Sequence, residues 1–203
     1  ITFHKDAFSS GQISSKIWLC RELENLHITE PQIVWVYGGW YGIVSLLLLS
    51  REKFPIKHIR SFDVNPECEP IADIFLENWV WQSWKFKAMT ADCNYLDFVH
   101  EKPDIIINCS TEHFDSDKWF QRVPVGTLMA LQSNNMTHED HCSCFNSCID
   151  FSKKYNLNKM IHTEDYEEQN IYYFQNKFDI SHMNDNEPNH LKNNNQTVIH
   201  KND

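Results

Sequence analysis

Three of the five glycines in this 203-residue chain fall within five positions, at Gly38, Gly39 and Gly42. They follow the apolar run Ile33-Val34-Trp35-Val36 and Tyr37. They precede Ile43-Val44-Ser45-Leu46-Leu47-Leu48-Leu49, a run that has to be buried. A buried strand that enters a glycine turn and leaves as an apolar helix is how an α/β fold opens a nucleotide-binding crevice. Glycine serves there because it lacks the Cβ that would hold a ligand off the backbone, and because it accepts positive φ.

The chain after the turn alternates strands with helices. Strand one spans Ile33 to Tyr37, and a helix runs from Tyr41 to Ser50. His58 to Asp63 reads as a second strand, ending in Phe62-Asp63-Val64-Asn65-Pro66. An acid at the tip of the second strand, about twenty residues past the glycine turn, can accept hydrogen bonds from both hydroxyls of a ribose. Asp63 has that place; a solvated turn aspartate is the competing role. Pro70 falls in the first turn of a helix, where its missing N–H costs nothing, with Ile71, Ile74, Phe75 and Trp79 on the buried face. Trp79, Trp81 and Trp84 are assigned to core and edge packing.

Lys85 to Thr90 is the third strand, followed by Ala91-Asp92-Cys93-Asn94. Asp92 can accept from an adenine amino group with Cys93 beside the ring, or it can cap a helix. Asp104 to Cys109 is the fourth strand. Its unbroken Ile105-Ile106-Ile107 suits a central parallel strand buried on both faces. Ligands of open α/β sheets bind outside the carboxyl ends of the strands. That places Asn108, Ser110, Glu112 and His113 near the site. Histidine titrates near neutrality, so His113 is a candidate general base, with a structural role equally open. Trp119 and Phe120 belong to a short helix. Thr127 to Gln132 is the fifth strand, ending in the polar Ser133-Asn134-Asn135.

Ahead of the glycine turn, Ser9 to Leu26 reads as an amphipathic helix. Ser9 and Gln12 have capping-box spacing, and Ile13, Ile17, Cys20 and Leu23 share a face. Such a helix packs on the sheet edge; the alternative is that it covers the mouth of the site. Beyond strand five, His138, His141, Cys142, Cys144 and Cys148 are close in sequence. On one helix, His141, Cys144 and Cys148 would share a face, but the spacing matches no common zinc pattern. They are read without a metal: Glu139 or Asp140 starts a helix whose face is Phe145, Cys148, Ile149 and Ser152. Lys159 to Thr163 is a sixth strand and Ile171 to Ser181 a seventh. The short turn Glu164 to Glu168 between them makes the two antiparallel. The expected organisation is a helical cover over 1–30, an α/β domain over 31–183 and a polar, asparagine-rich tail over 184–203.

Composition narrows the function classes. The net charge of −10 offers no basic stripe for a phosphate backbone, which argues against a nucleic-acid partner. Seven cysteines, with no CxxC pair, suit reduced thiols and a cytoplasmic location. No leader or apolar run long enough to span a membrane is read. The chain starts at Ile1, which suits a trimmed or partial sequence.

The order of seven strands, five alternating with helices and then an antiparallel pair, resembles the class I S-adenosylmethionine-dependent methyltransferases over Ile33 to His182. Gly38 and Gly42 match glycines of that family's first motif, while Trp40 replaces the middle glycine and Val36 the preceding acid. Asp63 matches the ribose-binding acid and Asp92 the adenine-facing acid. Asn108 to Phe114 looks like the segment after strand four in small-molecule methyltransferases, and Val125-Gly126-Thr127-Leu128 like the turn into strand five. The resemblance implies a three-layer α/β/α sandwich with a seven-stranded, mostly parallel sheet and an antiparallel last pair. It implies S-adenosyl-L-methionine as cofactor, S-adenosyl-L-homocysteine as product and a small-molecule methyl acceptor. It places Tyr37, Gly38, Gly39, Trp40, Gly42, Asp63, Val64, Asp92, Cys93 and Asn108 at the cofactor, and His113 with Glu112 at the chemistry. Val36 and Trp40 keep open a non-catalytic binding protein of the same fold. An NAD-dependent oxidoreductase is a further alternative, because Asp63 suits its ribose too; the turn, however, departs from GxGxxG.

Overall fold

The computed structural model describes residues 4–136, 138–155, 160–161 and 171–176, with backbone alone for 148, 149 and the last two segments. The 184–203 tail, the 164–168 turn and the outer ends of strands six and seven as read from the sequence lie outside the described residues.

The strands are β1 (Gln32–Tyr37), β2 (Ile56–Asp63), β3 (Phe86–Thr90), β4 (Ile105–Asn108), β5 (Leu128–Ser133), β6 (Met160–Ile161) and β7 (Ile171–Asn176). The helices are α1 (Ser10–Glu24), α2 (Ile43–Arg51), α3 (Cys68–Phe75), α4 (Glu77–Trp81), α5 (Lys118–Arg122) and α6 (Cys148–Lys154). The sheet order is β3-β2-β1-β4-β5-β7-β6. β1 to β5 are mutually parallel. β7 runs antiparallel to β5 and to β6. The α/β class and the central parallel sheet agree with the sequence reading.

Alternation along the strands divides the core between the two faces of the sheet. Val34, Val36, Ile59, Ala88, Ile105 and Ile107 pack on one face with Leu19, Leu23, Leu48 and Leu76 from α1, α2 and the end of α3. Trp35, Tyr37, Phe62, Ile106, Met129 and Leu131 pack on the other with Trp119, Phe151 and Tyr155 from α5, α6 and its end. Helices therefore cover both faces, and the central isoleucines of β4 are fully buried.

Packing corrects several details. The buried face of α1 is Ser15, Leu19, Cys20 and Leu23, whereas Ile13 and Ile17 are only half-buried. Docking against α2 sets the helix rotation, and the apolar stripe allowed either phase. In α3 the buried residues are Cys68, Ile71 and Ala72, followed by Leu76, while Ile74 and Phe75 face outward. Trp81 and Trp84 are exposed rather than packed. Ser83 and Trp84 both adopt positive φ, 54° and 57°, in a reversal just ahead of β3. α2 starts at Ile43 rather than Tyr41, because Gly42 caps it in the left-handed region, and β2 begins at Ile56, before His58.

The helix read from Glu139 or Asp140 starts only at Cys148. Ser147 caps it, its Oγ accepting from the Asp150 N–H at 3.2 Å. Residues 138–147 form turns and bends instead, tied down where the Cys142 and Ser143 N–H groups donate to the Glu112 carbonyl at 2.8 and 3.0 Å. His141, Cys144 and Cys148 do not share a helix.

α1 is clamped to α2 by one ion pair. Arg51 Nε and Nη2 donate to Glu24 Oε1 and Oε2 at 2.5 and 2.8 Å. That paired hydrogen bond holds the Glu24 carboxyl below its usual range. The sign follows from linkage: the stabilisation is present above the ordinary glutamate value near ~4.3 and is lost as pH falls through the lowered folded value. Glu24→Gln is expected to cost about 1 kcal/mol at pH 7 and nothing below both values. Urea unfolding at pH 7 and at pH 3 checks this; an equal loss at both would remove the ion pair as the cause.

Candidate functional site

The strand order reverses between β1 and β4, so their carboxyl ends flank a crevice. The glycine turn lies there. Gly39 donates its N–H to the Phe62 carbonyl at 3.0 Å, and the Gly42 N–H closes the turn on the Gly39 carbonyl at 2.8 Å. A Cβ on Gly39 would stand 1.9 Å from Ser61 Oγ and 3.3 Å from Ser61 Cβ, so the turn lies tight against β2 and a side chain there would displace the Ser61 hydroxyl. Gly42 has φ +75°, and a Cβ there would meet Leu76 Cδ1 at 2.9 Å. Trp40, between them, also adopts positive φ, at 48°. Its ring leans on Tyr41, with centroids 5.4 Å apart.

Asp63, at the tip of β2, braces this turn. Its Oδ2 accepts the Trp40 N–H at 2.8 Å and its Oδ1 the Asn65 N–H at 3.0 Å. A carboxylate has about four lone-pair sites; the Cys68 thiol is also hydrogen-bonded to Asp63, which leaves one site free at the half-exposed tip. Val64 beside it is 72% exposed, an apolar surface open to a flat ring. Asp92 takes the capping role, its Oδ1 accepting from the Asn94 N–H at 2.8 Å. Cys93 is buried behind the turn, and burial pushes its thiol up to about 12. Tyr37 is also buried, its ring packed on Phe62 and Trp119. Its backbone, not its ring, belongs to the crevice.

On the β4 side, Asn108 is fully buried, and its Oδ1 accepts the Ser110 N–H at 3.0 Å. Ser110 Oγ donates to the Gly38 carbonyl at 3.4 Å, which ties this loop to the glycine turn. Glu112 follows, buried, with Oε1 accepting from Asn134 Nδ2 at 2.8 Å. Burial raises the pKa of its carboxyl. His113 is exposed, and its Nδ1 lies 3.1 Å from the Asp140 carbonyl. Three buried side chains on the carboxyl side of β4 and β5 hold polar atoms with no partner among the described residues: Asn108 Nδ2, Glu112 Oε2, and both Oε1 and Nε2 of Gln132. Buried polar groups are nearly always satisfied, so these three side chains have capacity to meet a ligand's groups; Tyr37 Oη, Ser45 Oγ, Trp119 Nε1 and Tyr155 Oη are likewise unpartnered among the described residues.

Side-chain convergence adds residues that the sequence did not single out for the site. Asn134 orients Glu112, as above. Lys16 on α1 is half-buried, its pKa lowered by burial, with Cys109 and Glu112 in its electrostatic surroundings. A lysine directly before the apolar run Ile17-Trp18-Leu19-Cys20 of α1 was the available signal. His141 meets His113 edge to face, with ring centroids 4.7 Å apart. One ligand atom from each of Glu112, His113 and His141 lies within 4.8 Å of the others.

Solved structures share this architecture. Over 88% of the chain it resembles the small RNA methyltransferase HEN1, with TM-score 0.61 and 14% identity. Over 83% it resembles the S-adenosylmethionine-dependent methyltransferase SibL, with TM-score 0.59 and 10% identity. Over 73% it resembles a putative methyltransferase from Bacillus halodurans, with TM-score 0.55 and 13% identity. The chain has the class I methyltransferase fold. At these identities the likeness is one of fold. The chain covers 27% of HEN1, 56% of SibL and 71% of the Bacillus halodurans protein. No family model and no curated protein matches the sequence.

Within the class I methyltransferase fold, the glycine turn, Asp63, Val64 and Asn108 stand at or beside the carboxyl ends of β1, β2 and β4, and Glu112 follows β4. Tyr37 and Cys93 turn their side chains into the core beneath it, and Val36 is buried in the face that α1 and α2 cover. Cys20, Cys68, Cys93, Cys109, Cys142 and Cys144 are free thiols. Among the described residues, no helix is long and apolar enough to cross a membrane.

Proposed function

We propose that this chain is an S-adenosylmethionine-dependent methyltransferase acting on a small molecule. The observation that carries the reading is the crevice between β1 and β4. There the glycine turn packs tightly on β2 at Gly39, and buried, unpartnered polar groups lie at the ends of β4 and β5. The fit to the cofactor is favourable. The backbone of Gly38 to Gly42 gives close approach to the methionine and ribose parts, Asp63 accepts from ribose hydroxyls, and Val64 offers a surface to adenine. Asp92 and Cys93 line the adenine end through their backbone and the capping turn. Asn108 Nδ2 is a buried donor with no partner among the described residues.

When bound, the cofactor supplies a sulfonium methyl group for in-line displacement. The residues contribute position more than covalent chemistry. Glu112 and His113 stand on the acceptor side, where a proton leaving the acceptor could be received or steered. The net charge of −10 supports a small acceptor over a nucleic acid.

A second reading, a binding protein without turnover, draws on Val36 in place of an acid and on the strained Trp40. The NAD reading ranks last, because a sheet with β5 beside an antiparallel β7 is not the dinucleotide pattern.

Melting with S-adenosylhomocysteine tests the proposal. At about a hundred times its dissociation constant, a ligand adds about 2.7 kcal/mol, or roughly 5–10 °C for a chain of this size. The shift is expected in the native chain, lost in Asp63→Ala relative to that variant's own baseline, and absent with NAD. No shift with S-adenosylhomocysteine would overturn the reading. A shift without turnover on any acceptor would favour the second.

A further inference from the structure

We propose that Glu112, His113 and His141 form a binding site for a divalent first-row transition-metal ion on the acceptor side of the crevice. The three ligand atoms lie within 4.8 Å of one another. Ligand atoms around one tetrahedral ion at ~2.1 Å stand ~3.4 Å apart, so side-chain movement of roughly 1 Å closes the set.

Both imidazoles are already oriented for the task. His113 Nδ1 lies 3.1 Å from the Asp140 carbonyl and His141 Nδ1 2.8 Å from the Met136 carbonyl. A carbonyl only accepts, so Nδ1 carries the proton on each ring and Nε2 presents its lone pair. This backbone anchoring of the second nitrogen is the habitual arrangement of metal-binding histidines. Glu112 is held by Asn134 through Oε1, while Oε2 is buried with no partner among the described residues. Neither imidazole forms an ion pair with Glu112 among those residues, so an acid–base pair does not account for the cluster. Cys144 touches the cluster at its edge: its thiol donates to the Met136 carbonyl at 3.2 Å and lies 3.6 Å from His141 Nδ1, the nitrogen turned away from the proposed ion. The Cys142 and Ser143 N–H groups bound to the Glu112 carbonyl fix the two loops together.

Two imidazoles and one carboxylate with open positions suit zinc, manganese, iron or cobalt, and not magnesium, which favours all-oxygen sites. What the ion does rests on the methyltransferase reading. An acceptor hydroxyl in an open position would be acidified. Its proton then leaves to solvent as the C–O bond forms and the sulfonium C–S bond breaks, leaving a neutral thioether.

The test is titration of the metal-free full chain with Co(II), followed by visible absorption, with Zn(II) competition and Mg(II) as control. One equivalent of Co(II), displaced by Zn(II) but not by Mg(II), is expected. His113→Ala and His141→Ala, at exposed and half-buried loop positions, are expected to weaken binding roughly 100-fold or more while leaving the metal-free melting temperature unchanged. Glu112→Gln is expected to do the same. Acetohydroxamate, a bidentate oxygen ligand, is expected to change the Co(II) spectrum; an unchanged spectrum would remove the acceptor role. Absence of stoichiometric binding, or equal binding by the two histidine variants, would overturn the site. Metal binding without a melting shift from S-adenosylhomocysteine would keep the site and remove the methyltransferase reading.

Discussion

Trp119→Ala is expected to lower the unfolding free energy by about 3–5 kcal/mol. Trp119 is fully buried on the sheet face opposite α1 and α2. Its ring lies 6.0 Å from that of Tyr37, 5.4 Å from Phe114 and 5.7 Å from Tyr155. Alanine leaves a cavity that three elements border, and backbone hydrogen bonds keep them from collapsing into it. One is the Trp119 N–H to Asn94 Oδ1, at 3.2 Å. Because Tyr37 leads into the glycine turn, cofactor affinity is expected to fall with stability. Urea unfolding of the variant beside Trp119→Phe checks this: phenylalanine restores part of the ring packing and is expected to recover part of the loss. A cost below about 1 kcal/mol for Trp119→Ala would mean that this cluster is not the core of its face.

Gly42→Val is the second large effect, and it reaches the site directly. A β-branched residue in the left-handed region costs about 1–2 kcal/mol, and forcing its side chain against Leu76, Ala72 and Phe86 adds about 1–3 kcal/mol. The contacts lie at 2.9, 3.4 and 3.5 Å from a Cβ alone. Relief requires moving the turn, which breaks the Gly42 N–H bond to the Gly39 carbonyl. Binding of S-adenosylhomocysteine is therefore expected to be lost as well. Gly126→Ala separates the causes: Gly126 has φ +89° and nothing within 4 Å of an added Cβ. It is expected to show the backbone cost alone. Equal losses in the two variants, measured by thermal melting, would show that crowding at Gly42 contributes nothing.

Much of the glycine-turn side of the candidate site was legible from local signals. Glycines clustered after an apolar strand require a turn, and an acid some twenty residues later required only the expected strand lengths to reach the same crevice. Ile105-Ile106-Ile107 announced a central strand because no solvent-facing position interrupts it. The side of the candidate site after β4 was legible only in pieces. Glu112 and His113 were placed at a carboxyl end by strand polarity. His141, however, was read onto a helix with Cys144 and Cys148, because the segment's local pattern allowed one. The Glu112 carbonyl captures two N–H groups of that segment and Ser147 supplies a later cap, so the helix starts at Cys148 instead.

What the sequence by itself determined is what repeats at short range. Parallel strands alternating with helices, the glycine turn, and the Ser9 cap on α1 each depend on residues within a few positions or on a period. Tertiary structure decided what depends on docking between distant segments. Packing against α2 set the rotation of α1 and so brought Lys16 toward Cys109 and Glu112, while paired positive-φ residues left Trp84 in solvent. The meeting of Glu112 and His113 with His141 and Asn134 has the same origin. Two loops at neighbouring strand ends approach because β4 and β5 pair in parallel, a contact between residues too far apart in sequence for any periodicity to encode.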